Sequence, residues 1–275
     1  MINLIAFSGG KDSTALVLWA KEQEMEFTPI FDDTRWEHPL TYAYIAEINA
    51  QVLGGQLVVL SSDKYEGFED LVIKRKMVPG LKSRFCTQEL KIFPMEKYIK
   101  SLDDEVTVFQ GIRADESLAR SKWPRREWCN AAGGYWMERP LFDWTAEQCF
   151  AIMKRHGVRP NPLYLLGAKR VGCWPCVMEG KASLRNQFIH SPELLERLEK
   201  LEALLPQPPV VDSPRTFFRS DYIPERFHSL RWVKDGRQMS APSARDVYNY
   251  VMKQKLTQMD LIEAPSCMSI YNLCE

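Results

Sequence analysis

No stretch of the 275-residue chain approaches the ~20 consecutive apolar residues that a membrane-spanning helix needs. The first apolar run, Ile2 to Phe7, is far shorter than a signal-peptide core and has no basic flank. These absences predict a cytoplasmic protein with no membrane partner. Net charge is lacking too, since Lys+Arg and Asp+Glu each number 36. Global electrostatics therefore give no argument for a polynucleotide partner, and any such contact needs a local patch. No internal repeat and no low-complexity tract is present, so repeat arrays are excluded. Seven cysteines make an odd number for a disulfide framework. A reducing cytosol leaves them as thiols for metal or catalysis, and their spacing then matters more than their count.

What is present is a 45% hydrophobic content over a length that suits one α/β domain and a smaller appendage. Residues 1–180 read as a nucleotide-binding catalytic domain and 181–275 as a helical C-terminal extension with a cysteine-bearing tail. Asn3 to Phe7 predicts a buried strand, Thr14 to Glu24 a helix, Thr28 to Phe31 a second strand and Pro39 to Val52 a helix. Gln56 to Leu60 and Val106 to Phe109 follow as strands, and Thr145 to His156 as a helix. This alternation implies a doubly wound, mostly parallel α/β sheet. Beyond it, Ser191-Pro192-Glu193 opens a leucine-striped helix, Phe217 to Trp232 is aromatic and basic without a clear period, and Ser243 caps a last helix reaching about Leu256.

Ser8-Gly9-Gly10-Lys11-Asp12-Ser13 lies just after the first strand and just before the first helix. Backbone N–H groups and a helix N-terminus converge on an anion in that setting, and glycines let the backbone approach phosphate oxygens. Lys11, on an exposed loop, adds a point charge, and Ser8, Ser13 and Thr14 offer hydroxyls. The loop lacks the Gly-x-x-x-x-Gly-Lys-Ser/Thr spacing of a Walker loop. A plain glycine turn with solvated polar residues is the other reading. Asp32 and Asp33 follow the second strand at the sheet's carboxyl edge, where they serve either to hold Mg²⁺ or the nucleotide or as a turn and helix cap.

The loop resembles the PP-loop of ATP pyrophosphatases, whose fold is adenine nucleotide α-hydrolase-like. Further segments carry a narrower likeness: Phe109-Gln-Gly-Ile-Arg113-Ala-Asp-Glu-Ser117-Leu-Ala-Arg120, Arg139-Pro-Leu-Phe-Asp-Trp144-Thr, and Asn161-Pro-Leu-Tyr164 leading into Gly172-Cys173-Trp-Pro-Cys176. In this order, over roughly residues 1 to 180, they resemble the phosphoadenosine phosphosulfate reductase family, including phage-borne members. The resemblance implies that Arg113 and Arg120 grip phosphate or sulfonyl oxygens, a task for planar, permanently charged guanidinium groups. Surface arginines are the alternative.

Two departures from true sulfonucleotide reductases stand out. Those enzymes resemble this chain but carry a degenerate loop, whereas Lys11 and Asp12 are retained here. They also end in a Glu-Cys-Gly-Leu/Ile-His tail, whereas this chain ends Ser266-Cys-Met-Ser-Ile-Tyr-Asn-Leu-Cys274-Glu275. The intact loop points to ATP hydrolysis to AMP and pyrophosphate, as in relatives that adenylate a substrate before sulfur transfer, DNA phosphorothioation among them.

Cys173 and Cys176 form a Cys-x-x-Cys turn able to share one metal centre. Cys86 occupies the place where adenylylsulfate reductases show a Cys-Cys pair, so the resemblance implies a [4Fe-4S] cluster on Cys86, Cys173, Cys176 and Cys267, with Cys274 as the alternative fourth ligand. Structural zinc, or a redox-active thiol pair in the tail, are the rivals. Cys129 and Cys149 have no spaced partner and read as structural. Lys74-Arg-Lys76 and Arg120-Ser-Lys-Trp-Pro-Arg125-Arg126-Glu-Trp128 mix cations with rings, the composition of a nucleic-acid surface and also of an ordinary solvated face.

The expected activity is therefore adenylation with ATP and Mg²⁺, with Lys11 and Arg113 catalytic, followed by sulfur chemistry in which Cys274 is the nucleophile and a sulfur donor such as a cysteine desulfurase is the partner. The rivals are thiol-dependent reduction of a sulfonucleotide and a zinc-stabilised nucleic-acid-binding accessory subunit. No signal for oligomeric state is present.

Overall fold

The computed structural model describes residues 1–207 and 211–253. Buried apolar runs and helical stripes alternate along it: β1 (Ile2–Ala6), α1 (Lys11–Glu22), β2 (Thr28–Asp32), α2 (Pro39–Gln51), β3 (Val58–Leu60), α3 (Phe68–Arg75), α4 (Phe93–Ser101), β4 (Val106–Phe109), β5 (Arg126–Cys129), β6 (Tyr135–Glu138), α5 (Ala146–Arg155), α6 (Lys181–His190), α7 (Glu193–Leu204), β7 (Leu230–Lys234), β8 (Arg237–Ala241) and α8 (Ala244–Lys253). Two compact units result. The first holds Met1–Gly67 and Cys86–Trp174, and the second holds Phe68–Phe85 together with the described residues from Pro175 onward.

The first unit is built on a six-stranded sheet of order β3-β2-β1-β4-β6-β5. Every neighbouring pair is parallel except β5–β6. This is the expected mostly parallel, doubly wound architecture, and both sheet faces are covered. Alternation along β1 shows why: Ile5 packs among Leu16, Ile45, Ile48 and Met153 from the helices on one side, whereas Leu4 packs among Ile92, Met95 and Ile99 on the other. The chain runs outward from β1 through β2 to β3, then returns to place β4 on the opposite side of β1. The strand order reverses there, and ligands of such sheets bind at the carboxyl ends of the two strands flanking that crevice.

The stripe predicted for α7 comprises Leu194, Leu195, Leu198, Leu201, Leu204 and Leu205; in the second unit all are buried except Leu204, which is 64% exposed at the helix end. Phe68 and Phe217 meet at a ring distance of 6.2 Å, and Arg197 Nε donates to Glu69 Oε1 at 2.9 Å. The extension expected to be mainly helical also contains the antiparallel hairpin β7–β8, which turns at Asp235-Gly236, both at positive φ.

Candidate functional site

α1 starts three residues before the apolar period indicates, at Lys11 rather than Thr14. The loop proper is thus Ser8-Gly9-Gly10, and Lys11, Asp12 and Ser13 form the first helical turn. Lys11 is 8% exposed, which corrects the expectation of an exposed loop lysine. Gly9 has φ +74°, and a Cβ there would lie 2.9 Å from Ile45 Cγ1, so both conformation and packing against α2 require glycine. Gly10 is extended and serves as N-cap. Its carbonyl accepts from Thr14 Oγ1 at 2.8 Å and Ser13 Oγ at 3.1 Å, while Ser8 N donates to Ser13 Oγ at 3.1 Å.

A helix N-terminus leaves its first amides without intrahelical partners. Here the Lys11 amide donates to Tyr164 Oη at 2.9 Å, and Asn161 Nδ2 donates to the Gly9 carbonyl at 3.1 Å. The loop after β4 closes from the opposite side: a Cβ on Gly111 would stand 2.8 Å from the backbone of Asp12. The carboxyl ends of β1 and β4 are therefore in contact at the switch point.

Asp12 is 1% exposed. Its carboxylate accepts from Lys11 Nζ at 2.9 Å and from Arg113 Nε, with Cys149 Sγ 3.5 Å away. Burial pushes the Asp12 carboxyl up, but Lys11 and then Arg113 outweigh it and hold it below its ordinary value. Burial likewise pulls the Arg113 guanidinium down, and Asp12 more than restores it, so Arg113 is raised overall. The Cys149 thiol is raised by burial and then by Asp12, which keeps it protonated and agrees with a structural cysteine. Two buried cations share the Asp12 carboxylate, and Arg113 is balanced further by Asp115.

Arg113 also bonds Asp115 and the Trp144 carbonyl. Arg120 is 1% exposed, paired with Glu116 and set 5.8 Å from the Trp123 ring. The structure thus brings Arg113 to the loop through Asp12 and ties Arg120 into the 113–123 segment.

A cleft beside the loop is lined by Ser8, Ser13, Asp32, Glu37, Gly111 and Gly172. Asp32 faces it. Asp33 instead serves a turn, accepting from the Arg35 amide at 2.8 Å and Tyr42 Oη at 2.7 Å. Glu37, which periodicity does not single out, is buried and accepts from Thr34 Oγ1 at 2.7 Å and Tyr42 Oη at 2.9 Å. A β-bridge joins Glu37 to Cys173, and the Trp174 amide donates to the Trp36 carbonyl at 2.7 Å, which brings Cys173 to the acidic turn. Asn161 and Tyr164 are thus site residues whose loop partners lie too far along the chain for spacing to reveal, whereas the side-chain partners of Glu37 are local and only its bridge to Cys173 is distant.

Cys86 and Cys173 are half-buried members of the first unit and Cys176 of the second. Cys267 and Cys274 lie outside the described residues. Among the described residues, no three or more His, Cys, Asp or Glu side chains are grouped to hold a metal ion, and no helix is long and apolar enough to cross a membrane.

Comparison with known proteins bears on the family and the fold. The chain is 31% identical to an uncharacterised 37.8 kDa protein of Escherichia phage 186 across all of this chain and 97% of that one. It is 33% identical to the adenosine 5'-phosphosulfate reductase of Allochromatium vinosum over 40% of this chain, and the match spans 39% of the reductase. Among solved structures, the phosphoadenylyl-sulfate reductase of Candida auris, determined as a phosphate complex, has the same fold, with a TM-score of 0.51 and 21% identity over 63% of this chain and 82% of that one. The family model for the phosphoadenosine phosphosulfate reductase domain matches residues 2–179, and the chain belongs to that family.

Proposed function

We propose that this chain is an ATP pyrophosphatase that adenylates a substrate for sulfur transfer. The observation that carries the reading is the convergence, at the sheet's switch point, of the α1 N-terminus with the Lys11–Asp12–Arg113 cluster. An oxygen of the acceptor attacks the α-phosphorus of ATP, the bond to the β-phosphate bridging oxygen breaks, and pyrophosphate leaves. The first turn of α1 beyond the Lys11 amide, which Tyr164 engages, and the Lys11 ammonium stabilise the charge that develops on pyrophosphate. Asp12 fixes Lys11 and Arg113 against each other, and the Ser8 and Ser13 hydroxyls line the cleft. Asp32, aimed at the same cleft, suits the hard oxygen coordination of Mg²⁺, which when bound would neutralise charge on the phosphates. Asp33 fits that role less well because Arg35 and Tyr42 already engage it.

The sulfur-handling half rests on the cysteines. Cys86, Cys173, Cys176 and Cys267, with Cys274 as alternative, form the candidate [4Fe-4S] ligand set, zinc being the competing metal, and Cys274 is the candidate thiolate nucleophile. No three or more candidate ligands are grouped among the described residues, and iron analysis of the protein tests the assigned set. An adenine nucleotide and a sulfur donor are the proposed partners.

Lys11→Ala tests the reading. It is expected to lower ATP-dependent pyrophosphate release by roughly 10²–10³-fold while far-ultraviolet circular dichroism stays native. Unchanged turnover would remove the loop from the mechanism. The similarity to adenosine 5'-phosphosulfate reductase supports a second reading, thiolate attack on the sulfur of a sulfonucleotide with release of the nucleoside phosphate. Sulfite formation from adenosine 5'-phosphosulfate and a thiol, without ATP, would favour it.

A further inference from the structure

The second unit contains a cavity of about 520 Å³, lined in part by Glu202, Gln207, Arg215, Leu230, Arg231 and Trp232. That volume falls in the range of small-molecule sites. Two of its lining groups are anomalous: Arg215 Nε and Trp232 Nε1 are buried and have no hydrogen-bond partner among the described residues. Buried donors left unmatched are rare in folded proteins and ask for an explanation such as a ligand. Both are donors only, so they ask for an acceptor.

The surrounding wall is fixed by other bonds. Gln207 Nε2 donates to the Arg215 carbonyl at 3.2 Å, and Arg215 Nη1 reaches Ser213 Oγ at 3.4 Å. The Glu202 carboxylate accepts from the Phe217 amide at 2.8 Å and the Ala244 amide at 2.9 Å, so backbone donors engage both its oxygens. Ser243, at the start of α8, completes the rim and exchanges bonds with Asp246. Arg231 stands at the lining with Glu225 4.0 Å away. Two arginines against one carboxylate leave the lining net positive, and Leu230, Pro214 and Ala203 supply an apolar side.

We propose that this cavity binds a small organic oxyanion, a carboxylate or phosphate carried on an apolar body, with Arg215 Nε and Trp232 Nε1 as its donors. The site is independent of the nucleotide reading, because all its residues belong to the second unit and none to the phosphate loop.

Titration calorimetry of the full chain with benzoate and with phenyl phosphate tests it, with benzamide as neutral control. Saturable binding of at least one anion is expected, with benzamide at least about tenfold weaker. The preferred anion identifies the oxyanion class. Arg215→Ala should weaken binding about tenfold or more, and Trp232→Phe, which keeps a ring but removes the donor, severalfold. Lys11→Ala should leave the affinity unchanged, which separates this site from the phosphate loop. Equal affinity for benzamide, no saturable binding of either anion, or loss in Lys11→Ala but not in Arg215→Ala would each overturn the proposal. If Arg215→Ala does not fold, Trp232→Phe decides alone.

Discussion

Asp12→Asn removes the carboxylate on which Lys11 and Arg113 converge while preserving the size of the side chain. Arg113 is 3% exposed and Lys11 8%, so both cations remain in a nearly dry setting with their shared counter-charge gone, and Arg113 keeps its ion pair with the half-exposed Asp115. Breaking a buried pair by deleting one partner costs about 3–5 kcal/mol, most of it the burden of the uncompensated charge. Two charge-assisted hydrogen bonds at about 1.5–3 kcal/mol each give the same scale independently. Urea unfolding followed by tryptophan fluorescence should show that loss with an unchanged denaturant slope. Adding Arg113→Met to Asp12→Asn should recover part of it, since the buried cation that lost its Asp12 partner disappears and only the half-exposed Asp115 is left without the arginine. The pH dependence has a definite sign. The folded Asp12 titrates below its ordinary 3.8, so the unfolded chain binds more protons in that range. Its stabilisation is complete above about pH 4 and is lost as pH falls through the folded value. The variant should lack that part of the acid limb. A loss under about 1 kcal/mol, or an acid limb identical to wild type, would refute the buried charge cluster.

Gly9→Ala places a Cβ 2.9 Å from Ile45 Cγ1 at φ +74°; about 2 kcal/mol of destabilisation and weakened ATP binding are expected, measured by unfolding and by equilibrium binding. Burial pushes the Glu202 carboxyl from 4.5 up to about 7 against the Ala244 and Phe217 amides. The folded chain therefore holds the extra proton, and stability should fall by at most about 3 kcal/mol as pH rises across that window; a profile that is flat there, or that matches Glu202→Leu, would be inconsistent with it. Anaerobically purified protein should carry about four irons per chain, with iron lost in Cys267→Ser and kept in Cys274→Ser; stoichiometric zinc, or equal iron in both variants, would dismiss the assigned ligand set.

The parallel core was readable because β1, β2 and β4 are mostly buried and appear as short, largely apolar runs, interrupted by Asn3 in β1 and Thr107 in β4 and bounded by Thr28 and Asp32 in β2. The start of α1 was not, since Lys11, Asp12 and Ser13 carry no apolar period and are held helical by the Gly10 carbonyl and the loop's own bonds. β5 and β6 escaped for the opposite reason. They expose Arg126, Trp128 and Trp136 on one face, and that mixture of cation and ring reads as a solvent surface, although Arg126 stacks 4.0 Å over Trp136. The hairpin β7–β8 had a usable signal in Asp235-Gly236 within an aromatic, basic stretch. At the site, Ser8 to Ser13 and Arg113 were visible as local motifs. The Lys11–Tyr164 bond spans 153 residues and the Asp12–Arg113 bond 101, separations that only tertiary pairing creates.

The passage of residues 68–85 into the second unit has a consequence for synthesis on the ribosome. α3 emerges early, yet its Leu71 and Val72 are fully buried in a unit whose other residues begin at Pro175, and Arg197 of α7 lies 128 residues beyond its partner Glu69. At about 5–20 residues per second, this apolar segment waits on the order of ten seconds for the surface that covers it. A fragment ending at Trp174 would never receive that cover. Its nucleotide fold could be complete in every strand and still carry an adhesive stripe, so soluble expression of the first unit calls for replacing 68–85 by a short polar connector rather than merely stopping the chain.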